Sequence, residues 1–123
     1  MKIAPDFAEG HYNLAVAYKE NNQTSKAEKC YNRAIDLQPN FKLAHNNLAN
    51  IYRDWGKYTE AITHYEKALK IDPYYKDAEL GICITTWEIG LYDEAKDSYL
   101  DLLDRYPTLL EGQVNLGDFY SDV

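Results

Sequence analysis

The sequence predicts an all-α solenoid of stacked antiparallel helix pairs, about three and a half units and seven helices long. Three observations carry this. Pro39, Pro73 and Pro107 recur at a spacing of 34 residues, and Pro5 falls one period earlier. Ala27, Ala61 and Ala95 follow the same step, as do Tyr31, Tyr65 and Tyr99. Within each period, stop signals at Asn22, Gly56 and Gly90 divide the apolar pattern into two helical runs. A fixed period of this length marks a repeat architecture, because each unit buries its apolar face only against a neighbour.

Numbering each unit from 1 to 34 places unit starts at Ala8, Lys42, Lys76 and Leu110. The chain then reads as one domain over 1–123. Residues 1–7 are the tail of a preceding repeat, 8–41, 42–75 and 76–109 are three repeats, and 110–123 is the first helix of a fourth repeat or a capping helix. The expected helices are 7–21, 25–38, 41–55, 59–72, 75–89, 93–106 and 109–122. Asn22, Gly56 and Gly90 tolerate the left-handed backbone that closes a first helix. Ser25, Thr59 and Asp93 are expected N-caps of the second helices, and Ser25 with Glu28 has capping-box spacing. Asp6, Asn40 and Thr108 play the same part after Pro5, Pro39 and Pro107, while Tyr74 after Pro73 breaks the series. Small residues at position 8 (Ala15, Ala49, Cys83, Gly117) and position 20 (Ala27, Ala61, Ala95) mark where paired helices approach most closely.

Composition excludes several classes of function. Hydrophobic residues make up 46% and charged residues 27%, close to the globular average, so wholesale disorder is excluded. The net charge of −7 lacks the basic footprint of a nucleic-acid module. No apolar run approaches the ~18 residues of a membrane span, and the N-terminus lacks the apolar core of a signal peptide. Cys30 and Cys83 make neither a disulfide framework nor a zinc site, and a cytoplasmic, reducing location is expected. There is no phosphate loop, no Cys-x-x-Cys and no His-Glu-x-x-His, so no enzyme activity, cofactor or metal is expected. Glu60 and His64 share a helix face, a weak metal signal by themselves. Asp93, Asp97, Asp101 and Asp104 form a row read as a solvated convex face.

The repeated residues resemble the tetratricopeptide repeat (TPR) family, over the whole chain. The first two units match it nearly throughout, with Leu14, Ala15, Tyr18, Ala27, Tyr31, Ala34 and Pro39, then Leu48, Ala49, Tyr52, Ala61, Tyr65, Ala68 and Pro73. The third unit departs at Glu79, Thr86 and Leu102. The resemblance implies a right-handed superhelix whose concave face binds peptides. His-Tyr-Asn-Leu-Ala (11–15) and His-Asn-Asn-Leu-Ala (45–49) look most like the repeats of the O-linked N-acetylglucosamine transferase family. There an Asn ladder grips peptide backbone; Asn13, Asn47 and Asn115 match it and Gly81 interrupts it.

On that resemblance the concave face presents Glu9, Tyr12, Asn13, Val16, Lys19 and Glu20, then Leu43, Asn46, Asn47, Asn50, Arg53 and Asp54, then Asp77, Leu80, Gly81, Ile84, Trp87 and Glu88, and finally Glu111, Val114, Asn115, Asp118, Ser121 and Asp122. Asn46, Asn47 and Asn50 crowd one helix, where Asn is poorer than Ala by several tenths of a kcal/mol, so they call for a purpose. Each amide can pair with a peptide N–H and C=O. Leu80, Ile84 and Trp87 form an apolar stripe beside Gly81, which leaves room for close backbone approach; with Ile82, Cys83 and Ile89 assigned to the core, the stripe reads as a ligand contact or as packing on a neighbouring unit. The expected partner is a protein or peptide with apolar anchors and basic flanks. The family's grip on a C-terminal carboxylate is missing, since its positions hold Tyr12, Val16, Asn47, Asp77 and Gly81 counted from the first unit, and Asn46, Asn50, Gly81, Glu111 and Asn115 counted from the second. A substrate-selecting region of a larger enzyme, such as a glycosyltransferase, is the alternative. Homo-oligomeric assembly through exposed repeat ends is a further one, because Leu116, Phe119 and Tyr120 would face a following helix.

The chain holds 12 Tyr against 3 Phe. Eight of the Tyr recur in register, at Tyr18, Tyr52 and Tyr120, at Tyr31, Tyr65 and Tyr99, and at Tyr58 and Tyr92. In a two-layer solenoid, large rings with hydroxyls in water are expected near the surface.

Overall fold

A computed structural model describes residues 7–107. It contains six helices: α1 (Ala8–Glu20), α2 (Thr24–Leu37), α3 (Lys42–Asp54), α4 (Tyr58–Ile71), α5 (Lys76–Ile89) and α6 (Tyr92–Arg105). Each begins and ends within two residues of its expected bounds. The expected helix 109–122, with Asn115 and Asp118, and the tail 1–6 lie outside the described residues. Helices α1 and α2, α3 and α4, and α5 and α6 pack as pairs. The pairs stack through α2 on α3, α4 on α5, and α3 directly on α5. This is an all-α solenoid, as the period predicts.

The helix stops are as expected and the starts are not. Asn22, Gly56 and Gly90 have φ of 61°, 77° and 108°. Each ends its helix with the same two bonds: Gln23, Lys57 and Leu91 donate to the carbonyls of Tyr18, Tyr52 and Thr86, and Asn22, Gly56 and Gly90 to those of Lys19, Arg53 and Trp87. By contrast, the N-cap positions are Gln23, Lys57 and Leu91, and no side chain caps them. Ser25, Thr59 and Asp93 lie one residue inside the first turn. Glu28 accepts a bond from the Tyr52 hydroxyl on α3 at 2.8 Å. Asn40 likewise gives way to Phe41 as the N-cap of α3. The N-cap residues of α2, α4 and α6 are the ones whose N–H closes the preceding helix, and Gln, Lys and Leu stand there in place of Ser or Thr.

The core runs through the small positions. Ala15, Ala27, Ala49, Ala61 and Ala95 are fully buried and Cys83 nearly so, with its thiol pushed up to about 11 by burial. Between them sit Tyr31, Tyr65 and Tyr99, each at most 2% exposed. The expectation of surface rings with wet hydroxyls therefore fails at this position. Tyr31 and Tyr65 each plug a junction of three helices, where protein groups satisfy their hydroxyls, and Tyr99 packs between α5 and α6. Tyr18 and Tyr52 remain only half-buried, as expected.

The first-helix histidine of the second unit has a defined role. His45 is 4% exposed, and its Nε2 lies 2.9 Å from the Pro39 carbonyl oxygen. A carbonyl only accepts, so Nε2 carries the proton and neutral His45 accepts at Nδ1. His64 Nδ1, 3.2 Å away on α4, donates there. Burial lowers both pKa values, that of His64 to about 4, with Lys67 adding to the effect. A base with a depressed native pKa favours the fold while neutral and opposes it when protonated. This contribution is full above about pH 6.5 and is lost as pH falls towards 4. Urea midpoints across that range are expected to fall more steeply for the native chain than for His64→Gln. Parallel profiles would show that the pair does not titrate with folding.

Candidate functional site

The first helices of the three units, α1, α3 and α5, line one side of the stack, and α3 touches α5 directly. Two hollows open there. One of about 370 Å³ is lined by Val16, Lys19, Glu20, Tyr31, Asn47, Asn50, Arg53 and Asp54. The other, of about 320 Å³, is lined by Asn46, Asn47, Asn50, Arg53, Asp77, Leu80, Gly81 and Ile84. They share Asn47, Asn50 and Arg53, so together they form one groove across three helices. Helical spacing explains the sharing: Asn47, Asn50 and Arg53 stand at i, i+3 and i+6 along one side of α3, and Asn46 joins them in the hollow towards α5.

The amides at the groove centre also serve the core. Asn47 Nδ2 donates to the Tyr12 hydroxyl at 3.0 Å. Tyr12 stacks on Phe41, with ring centres 5.0 Å apart, and tilts against Tyr31. Asn50 Oδ1 accepts from the buried Tyr65 hydroxyl. Arg53 Nη1 donates to the same hydroxyl at 3.2 Å. Burial pushes Tyr31 and Tyr65 up to about 12, so both hydroxyls stay protonated. The crowding of Asn on α3 thus has a structural cause beside any ligand role. Charges pair across helices, Lys19 with Asp54 at 3.6 Å and Arg53 with Glu88 at 3.7 Å.

Twelve of the residues expected on the concave face line the groove: Val16, Lys19 and Glu20 on α1, Asn46, Asn47, Asn50, Arg53 and Asp54 on α3, and Asp77, Leu80, Gly81 and Ile84 on α5. Tyr12 adjoins it through Asn47. Asn13 is exposed and borders neither hollow. Trp87 is half-buried and meets the edge of Tyr92 at 4.6 Å between ring centres, also outside both hollows. Tyr31 lines the groove from a second helix, a contribution that a first-helix pattern does not reveal.

Two readings of α5 are corrected. Leu80, 6% exposed, belongs to the core with Cys83, Ala95, Tyr99 and Leu102, while Ile89 is 45% exposed. Ile84 and Trp87 pack on that same cluster, so the stripe has a buried edge as well as a groove edge. Gly81 makes room for the protein rather than for a ligand: a Cβ there would collide with the Tyr65 ring.

A cavity of about 440 Å³ among α4, α5 and α6 is floored by Leu69, Ile82, Cys83 and Leu102. Arg105 at its rim binds Glu79 at 2.9 Å and Asp101 at 3.0 Å, so its charge is met within the fold. Among the described residues, no group of three or more His, Cys, Asp or Glu is placed to hold a metal ion. Nor is any helix among them long and apolar enough to cross a membrane.

The tetratricopeptide repeat model matches residues 8–41 and 43–75. No curated protein matches the chain. Among solved structures, that of MamA protein is 26% identical with a TM-score of 0.76, covering 89% of this chain and 60% of that one. The chain therefore spans about three-fifths of the length of MamA. The first TPR of Spaghetti (RPAP3), bound to HSP90 peptide SRMEEVD, is 19% identical with a TM-score of 0.83, covering 98% of this chain and 95% of that one. The Arabidopsis OM64 TPR domain is 21% identical with a TM-score of 0.83, covering 94% and 96%. At these identities the last two show the shared fold alone.

Gly81→Ala is expected to destabilise the chain by about 1–3 kcal/mol through overpacking. The loss should shrink in a Tyr65→Leu background, where the ring is gone. Urea denaturation measures both, and an equal loss in both backgrounds would contradict the assigned contact.

Proposed function

Because the chain belongs to the tetratricopeptide repeat family, we propose that it is a non-catalytic protein-interaction scaffold gripping an extended peptide in the groove across α1, α3 and α5. The observation that carries this is the sharing of Asn47, Asn50 and Arg53 by two adjoining hollows. It makes a continuous track of donors and acceptors rather than a closed pocket. Asn47 and Asn50 each spend part of their capacity on a tyrosine, and the remainder can meet peptide backbone. The tyrosine bonds hold the amides in place, which lowers the entropy lost on binding. Two structurally similar domains, the first and second TPRs of Spaghetti, are seen with an HSP90 peptide, which supports a peptide as ligand class.

The ligand end expected here is not a terminal carboxylate. Tyr12, Val16, Asn47, Asp77 and Gly81 occupy the places where that grip needs cations. An internal segment with apolar anchors and basic flanks fits the groove better, with Val16 and Ile84 as apolar contacts and Trp87 beyond them. A reducing, cytoplasmic setting suits the two free cysteines. The alternative, a substrate-selecting region of a larger enzyme, is favoured by the His-x-Asn-Leu-Ala wording of α1 and α3 and would use the same groove.

Selection from a random extended-peptide display library tests the proposal. Peptides so recovered are expected to lose about tenfold or more in affinity for Asn47→Ala/Ile84→Asp, the effect of removing central contacts. They should bind Lys67→Ala/Lys70→Ala, on exposed α4, as they bind the native chain. Calorimetry on variants of native helicity gives both values. Undiminished binding by the groove variant would refute the site.

A further inference from the structure

We infer that the hollow between α3 and α5 is a pocket for one cationic side chain, lysine or arginine, of the bound segment. This rests on the groove as the peptide site and names what one part of it selects.

Asn46 lines this hollow and is only 6% exposed. Among the described residues, its Oδ1 is buried and accepts no hydrogen bond. A buried acceptor without a partner is costly, and native folds rarely leave one without a reason. A long, thin side chain that enters the hollow and ends in donors is the ligand group suited to meet this acceptor.

Three further features select a cation among such side chains. Asp77 stands exposed on α5, within the lining of the same hollow. Leu80 and Ile84, one and two turns further along α5, offer apolar wall to a methylene stem. Arg53, which also borders the space, already meets the Tyr65 hydroxyl and Glu88, so the nearby positive charge is compensated within the fold. Lysine and arginine carry donors and no acceptor, whereas a glutamine would bring its own carbonyl towards Asp77 and the Asn46 oxygen. Glutamate would be repelled outright.

The test uses the tightest peptide from the display selection, resynthesised with each residue in turn as lysine, norleucine, glutamine or glutamate. Fluorescence anisotropy reads the affinities. At one position lysine is expected to bind about tenfold tighter than norleucine or glutamine, the usual worth of a charge-assisted bond, and glutamate most weakly. Asp77→Asn, an exposed substitution that leaves the core alone, should cut that preference to about twofold or less with the norleucine peptide unchanged. Asn46→Leu should do the same if it folds. A peptide that shows no cation preference at any position, yet weakens with Asn47→Ala/Ile84→Asp, overturns the pocket and leaves the groove standing. A preference that survives Asp77→Asn also overturns it. Failure to recover any groove-dependent peptide overturns both.

Discussion

The structure depends on one residue position, the tyrosine near the middle of each second helix. Tyr31, Tyr65 and Tyr99 are the large side chains that reach from the outer layer through the helix pair. Tyr65 touches three helices at once: its own, α3 through Asn50 and Arg53, and α5 through the bare backbone of Gly81. Small neighbours make this geometry available. Ala49 and Ala61 share a buried cluster with the Tyr65 ring, and Ala15 and Ala27 do the same for Tyr31. At Tyr31 and Tyr65 the buried hydroxyl, out of reach of water, finds its partners in protein groups. The nearest polar groups are those of the next layer, and they are the groove.

Core and groove are thus one system. The amides that a ligand would meet are held by hydroxyls that the core needs satisfied. A repeat protein has only nearest-neighbour contacts, so its groove inherits its rigidity from such local ties. The ion pairs add little by comparison. Lys19 with Asp54 and Arg53 with Glu88 are 3.6 and 3.7 Å apart and open to solvent, where pairs contribute weakly. Their use is to neutralise the groove charges locally, which leaves Asp77 to set the sign of the α3–α5 hollow.

The repeat made the fold legible from sequence. Proline spacing, left-handed stops and small residues are local signals, and each maps onto a helix end or a helix crossing in the structure. What stayed hidden depends on contacts between units. The Asn residues of α3 read as a ligand grip because their partners, Tyr12 and Tyr65, lie in other helices. Gly81 read as space for a ligand for the same reason. The cap signals misled because Ser25, Thr59 and Asp93 compete with turns already closed by backbone bonds. The His45–His64 link is not legible in the sequence because only one of the two histidines occupies a repeated position. On α5 the apolar pattern was too dense to separate core from surface, and Leu80 and Ile89 exchanged roles.

The coupling between core and groove is measured most directly by a double-mutant cycle. Tyr65→Phe and Asn50→Ala, alone and together, are compared by urea denaturation. The bond between these side chains predicts that the double variant loses less than the sum of the singles, with a coupling of about 0.5–3 kcal/mol. Losses that add to within about 0.3–0.5 kcal/mol would show that the buried tyrosine and the groove amide are independent, and would contradict the account.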